Sequence, residues 1–110
     1  MTPLPNRNLM KDKMQAGGLA VGMIVRLMRS VEIAAIAKSA GFDCLYIDLE
    51  HCSFSLETVA QISVTATALG VTPMVRVAGL DPAMISRTLE AGAQGVIVPQ
   101  ANVAHLMLRE

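Results

Sequence analysis

The stretch Leu45-Tyr46-Ile47-Asp48-Leu49-Glu50-His51 decides how this chain is read. Its first residues continue an apolar run that suits a strand buried on both faces, and the run empties at once into two carboxylates and an imidazole. In a parallel α/β sheet the helices cover the faces, so ligands meet the rim where strands end and the following loops begin. Asp48, Glu50 and His51 therefore form a candidate site at such a rim.

Outward from that strand the chain repeats one phrase. Ser30 can cap a helix over residues 31–40 that stops at Gly41, and Ser55 one over residues 56–69 that stops at Gly70. Asp81-Pro82 opens a third helix, which stops at Gly92. Each glycine is followed by a strand, at residues 42–48, 71–77 and 95–99, and residues 19–27 supply an earlier one. Helix-length connections between consecutive strands force parallel pairing through right-handed crossovers. The fold class expected is α/β: parallel (β/α) units that amount to the first half of a TIM (β/α)8 barrel, which in full needs ~250 residues. The same units without a second half would be an open sheet with exposed edges.

Residues 1–18 are polar and glycine-bearing and read as an N-terminal lead-in with a short helix around residues 8–15; residues 19–110 read as the partial barrel domain. A fourth helix is expected from Asn102 through Val103, Leu106, Met107 and Leu108 to Glu110, so the domain is read as truncated in that helix. With the barrel open, the strand at 95–99 is expected to present an unpaired edge. Val75, Val77, Ile97 and Val98 are expected to face inward with no layer of side chains opposite them. A homo-oligomer is the expected consequence.

Composition narrows the function classes. The 110 residues are 53% hydrophobic but 3% aromatic, which leaves Ala, Val, Ile, Leu and Met to fill a core of closely packed helices and strands. A formal charge of zero provides no basic field for nucleic acid or an anionic membrane, and neither is expected as a partner. Arg7, Lys11 and Lys13 ahead of residues 19–25 faintly resemble a signal peptide, but Arg26 cuts the apolar run short. No segment approaches the roughly 20 apolar residues of a membrane span. Cys44 in a strand and Cys52 in a loop make no disulfide framework, so a reduced, cytoplasmic protein is expected.

Four phrases, in this order, resemble the HpcH/HpaI aldolase family: Tyr46-Ile47-Asp48-Leu49-Glu50-His51, Pro73-Met74-Val75-Arg76-Val77, Asp81-Pro82, and Gly92-Ala93-Gln94-Gly95-Val96-Ile97-Val98-Pro99. The resemblance covers about residues 19–110. It implies a (β/α)8 barrel, assembled as a dimer of swapped elements or a hexamer. It also implies a metal-dependent class II aldolase that cleaves 2-keto-3-deoxy or 4-hydroxy-2-oxo acids to pyruvate and an aldehyde. Carried over by position, His51 resembles the general base, Asp48 the carboxylate beside the metal-bound water, and Arg76 the arginine that binds pyruvate and holds its enolate. Glu90 stands where the family resemblance leads one to expect an aspartate that raises the basicity of the histidine. The cofactor implied is a divalent cation, Mg²⁺ or Mn²⁺, with its main ligands expected beyond residue 110 and none assigned within the chain.

Read on their own terms, the residues support part of this. Arg76 closes the strand next in sequence to the one bearing Asp48, so the two strands should pair and both side chains reach one rim. An imidazole near neutrality suits proton transfer beside a keto group, and a guanidinium offers a planar fork to an oxyanion. Glu90 falls in the last turn of its helix, far from that rim, and serves there only if a neighbouring subunit brings it close. Glu50 reads as structural, in a salt bridge to a basic side chain. Cys52 and His51 do not read as a nucleophile pair, because neighbours in an extended segment point to opposite faces. Arg26 either sits at the barrel mouth and touches substrate or marks the end of the first strand, and His105 reads as packed or exposed rather than as a ligand.

Two other function classes compete. One is a catalytically inactive half-barrel acting only as a self-associating module. The other, a small open-sheet phosphate binder, is disfavoured because no glycine-rich loop follows a strand directly.

Overall fold

The computed structural model describes residues 7–99 and the backbone of residues 105–108. Strands β1 (Gly22–Val25), β2 (Cys44–Asp48), β3 (Thr72–Arg76) and β4 (Gly95–Val98) lie side by side in chain order, all parallel. Helices α2 (Glu32–Ser39), α3 (Leu56–Ala68) and α4 (Pro82–Glu90) make the crossovers between them. The α/β architecture expected from the repeating phrase is thus present, with each strand shorter than its apolar run because pairing covers only the shared register.

Alternation along the strands divides the sheet into two faces. Val25, Leu45, Ile47, Val75, Val96 and Val98 pack against Ile33, Ala34, Ala37, Val59, Ile62 and Ala66 of the helix layer. Ala34, Ala37 and Ala66 are fully buried, and their small side chains let the helices approach the sheet closely. Cys44, Tyr46 and Asp48 of β2, with Thr72, Met74 and Arg76 of β3, occupy the opposite face. This corrects the expectation for three inward residues. Val75, Val77 and Val98 are buried in the helix-side core, because placing Arg76 level with Asp48 turns its neighbours the other way; of the four only Ile97 lies on the other face.

Local chemistry explains the helix ends. Ser55 Oγ accepts from the Thr58 N–H at 3.1 Å and Asp81 Oδ1 from the Ala83 N–H at 3.1 Å, with Pro82 at the first helical position. Helix α2 starts differently: Val31 is its N-cap without a side-chain bond, and Ser30 Oγ reaches the Glu32 N–H only at 3.4 Å. Gly41 and Gly70 follow α2 and α3 with φ of 86° and 80°, a left-handed turn that a side chain would strain.

Two regions depart from expectation. In place of a fourth helix, His105–Leu108 forms strand β5, antiparallel to β4 with Val98 opposite His105 and Gly95 opposite Leu108. A short apolar run is as compatible with a strand as with a helix, and as a strand it satisfies the backbone groups that β4 would otherwise leave unpaired. The rest of that expected helix, including Asn102, Val103 and Glu110, lies outside the described residues. The unpaired edge expected at β4 is accordingly covered by β5.

The short helix expected in the lead-in is α1 (Leu9–Gln15), but it is no detached segment. Its N-cap Asn8 donates through Nδ2 to the Gln94 carbonyl at 3.1 Å, and Gln94 Nε2 returns a bond to the Arg7 carbonyl at 3.1 Å. The Met10 N–H donates to Thr72 Oγ1 at 3.1 Å, while the buried Met10 side chain packs against Cys44 and Met74. These contacts gather where β2, β3 and β4 begin, so α1 seals that end of the sheet and leaves the opposite rim open. Among the described residues no helix is long and apolar enough to cross a membrane.

Candidate active site

The rim is built by three strands that finish level. Asp48 pairs in register with Arg76, and the β1–β2 register, Val25 opposite Ile47, carried one residue further sets Arg26 beside Asp48. Arg26, Asp48 and Arg76 therefore form a row on one face across three adjacent strand ends, with the carboxylate in the middle. Its side chain has no solvent exposure, against 53% for Arg26 and 23% for Arg76.

Asp48 spends both oxygens. Oδ1 accepts from the Glu50 N–H at 2.9 Å, the His51 N–H at 3.1 Å and Arg76 Nε at 3.2 Å; Oδ2 accepts from Arg76 Nη2 at 2.7 Å and Arg26 Nε at 3.2 Å. Burial alone would raise the Asp48 pKa. The Arg76 guanidinium, the two backbone N–H groups and Arg26 outweigh it and hold the carboxyl well below the usual carboxylate range. The same bond from Asp48 pushes the Arg76 pKa up, so this ion pair persists across physiological pH. Asp48 thus both caps the turn that carries Glu50 and His51 and pairs with Arg76.

Glu50 makes the salt bridge expected of it and joins the remaining pieces. Its Oε1 lies 3.3 Å from Arg76 Nε and 3.2 Å from His51 Nε2, bridging guanidinium and imidazole. His51 is exposed on the rim, with 56% of its side chain open to solvent. One layer below, the Tyr46 ring supports Arg76, whose Cζ stands 5.3 Å from the ring centroid.

The loop bearing His51 is held from the neighbouring connection. Arg29 Nη1 donates to the Ser53 carbonyl at 3.0 Å, and its guanidinium lies 5.0 Å from the centroid of the buried Phe54 ring. Sequence reasoning passed over Arg29, and only its position three residues after Arg26 hinted at the same rim. Glu90 ends α4, and the chain turns there into the start of β4, so it lies at the opposite end of the sheet and is exposed. The structure brings His51, Asp48 and Arg76 together and leaves Glu90 apart.

These donors do not by themselves make a cation site. Among the described residues no three His, Cys, Asp or Glu side chains converge as ligands, and both Asp48 oxygens already accept from N–H groups. What the rim offers is a fixed guanidinium, an exposed imidazole and an acidic bridge between them, a set suited to binding an oxyanion and moving a proton.

The model of the family described as HpcH/HpaI aldolase/citrate lyase matches residues 23–108. The chain is 35% identical over 100 residues to the 4-hydroxy-4-methyl-2-oxoglutarate aldolase tasA of Hapsidospora irregularis, covering 88% of this chain and 36% of that protein. It is 34% identical over 98 residues to a 4-hydroxy-2-oxo-heptane-1,7-dioate aldolase of Salmonella arizonae, covering 89% and 37%. The crystal structure of an HpcH/HpaI aldolase from Desulfitobacterium hafniense DCB-2 superposes with a TM-score of 0.76 at 31% identity, over 79% of this chain and 34% of that one. The chain thus spans little more than a third of the length of the relatives it matches, and its sheet and helices correspond to part of their TIM-barrel-like fold. On the family match and these relatives, the chain belongs to the HpcH/HpaI aldolase/citrate lyase family.

Proposed function

We propose that this segment supplies part of the active site of an aldolase that cleaves 4-hydroxy-2-oxo or 2-keto-3-deoxy acids to pyruvate and an aldehyde. The observation that carries the reading is the linked rim cluster, in which Asp48 and Glu50 fix Arg76 while Glu50 also reaches His51. With Nε and Nη2 engaged by the carboxylates, Arg76 Nη1 has no partner among the described residues and is the donor that meets the keto acid. His51 accepts the proton of the substrate's 4-hydroxyl as the C3–C4 bond breaks. The bonding pair passes into the pyruvate enolate, the aldehyde departs, and the enolate is protonated at C3. Arg76 offsets the negative charge that develops on the enolate oxygen.

The family resemblance implies a divalent cation, Mg²⁺ or Mn²⁺, which would act as a Lewis acid; the described residues do not form its ligand set, and no step above is routed through it. In this reading Glu90 contributes only from a neighbouring subunit of a homo-oligomer. The unpaired cysteines Cys44 and Cys52 support a cytoplasmic location.

The test is release of pyruvate from a 4-hydroxy-2-oxo acid by a full-length (β/α)8 version that contains this segment, supplied with Mg²⁺ or Mn²⁺ and followed through a coupled lactate dehydrogenase; the 110-residue chain alone is expected to be inactive. His51→Ala should slow it by roughly 10²–10⁴-fold. Absence of pyruvate release, or an unchanged rate in His51→Ala, overturns the proposal.

A further inference from the structure

We infer that Tyr46 is a positioning residue whose ring holds the Arg76 guanidinium in place, so that Nη1 stands where the keto acid binds. The inference rests on the reading of Arg76 as the group that holds the keto acid.

The carboxylates of the rim grip Arg76 along one edge only. Nε donates to Asp48 Oδ1 at 3.2 Å and lies 3.3 Å from Glu50 Oε1, and Nη2 donates to Asp48 Oδ2 at 2.7 Å. Nε and Nη2 define a line through the planar group, and hydrogen bonds along that line leave the group free to rock about it. Nη1 lies off the line, so rocking displaces it most. With a flexible stem behind it, the guanidinium needs a further contact away from that edge before the donor left for substrate has a fixed position.

Tyr46 supplies that contact. Asp48 is the register partner of Arg76, and Tyr46 precedes Asp48 by two residues, so it shares their face one row down and stands diagonally from Arg76. The Arg76 Cζ lies over the ring at 5.3 Å from its centroid, which sets the electron-rich ring face against the centre of the cation. A contact at Cζ resists the rocking that the edge bonds permit. The neighbours of Tyr46 in its row, Ile24 and Met74, offer no such face. Nor can another aromatic residue take its place: Tyr46 is the one tyrosine of a chain without tryptophan, and Phe42 and Phe54 pack in the helix-side core. The Tyr46 hydroxyl makes no hydrogen bond among the described residues, so the ring is the part that acts.

Two measurements test this, and neither needs turnover. The first is calorimetric binding of pyruvate to the full-length version supplied with Mg²⁺. Tyr46→Leu keeps much of the bulk but removes the π face, and should weaken binding about 5- to 30-fold, the scale of a partly desolvated cation–π contact. Tyr46→Phe should recover most of that loss. A merely structural role would lower the number of folded sites and leave the affinity of the rest unchanged. The second is nitrogen NMR relaxation of the Arg76 Nε–H in the ligand-free 110-residue chain, where the order parameter should fall in Tyr46→Leu and be largely restored in Tyr46→Phe. An unchanged affinity or order parameter in Tyr46→Leu, or equal losses in the two variants, overturns the inference. If no 4-hydroxy-2-oxo acid is cleaved yet pyruvate affinity follows the ring, the aldolase reading fails and the role of Tyr46 stands. If cleavage proceeds while pyruvate affinity ignores the ring, the aldolase reading stands and the role of Tyr46 fails.

Discussion

At the scale of single residues the rim depends on Asp48. A buried carboxylate between two arginines is stable only while charged, and its depressed pKa fixes the sign of the pH response. The unfolded chain protonates this carboxyl near pH 3.9, so the pair's contribution to stability is full above that pH. It shrinks as pH falls further, and it is gone below the folded-state value. Asp48→Asn should cost on the order of 3 kcal/mol at neutral pH, since it leaves Arg76 partly buried without its main partner. The variant should also lose less stability between pH 4 and pH 2 than the parent; urea melts at each pH would show it, and parallel acid limbs would refute the assignment. Arg76→Lys keeps the charge but not the fork, so it should restore only part of the rate lost in Arg76→Ala. Asp48, His51 and Arg76 were legible in sequence because each ends or follows an apolar run. The bridging position of Glu50 and the clamp from Arg29 were not, since both arise from contacts across loops that no spacing records.

At the scale of elements, capping chemistry carried most of the information. Ser55 and Asp81 are the side-chain caps their positions suggested, whereas α2 begins at a valine. Asp81→Ala should therefore destabilise the fold by roughly 1 kcal/mol, while Ser30→Ala, with only a 3.4 Å bond to lose, should cost less. Thermal melts of the two variants would rank them, and the reverse order would refute this account of the caps. The loop after β2 is the other testable element. Arg29→Ala removes the bond to Ser53 and the cation over Phe54, so amide exchange at residues 51–54 should quicken while that of α3 stays constant. Strand β5 was not legible because a four-residue run of one histidine and three apolar residues carries no period, and pairing with β4 decides its conformation.

At the scale of the molecule, the order of strands and helices followed from repeated cap, helix, glycine and strand. The role of α1 did not, because its buried bonds run from Asn8 to Gln94 and from Met10 to Thr72, distant in sequence. Among the described residues, exposed apolar side chains cluster at and beside β1, which with β5 is one of the two edge strands of the sheet. Ile24 is 61% and the adjoining Leu27 90% exposed, and an edge strand beside such side chains is a template for pairing with another chain. The 110-residue chain should therefore self-associate through β1 and the face that bears Ile24. Sedimentation at micromolar concentration should show a dimer or larger species, and Ile24→Ser should shift it toward monomer without loss of helix content. A compact monomer that binds no hydrophobic dye would refute this, because its β1 surface would have to be covered within one copy.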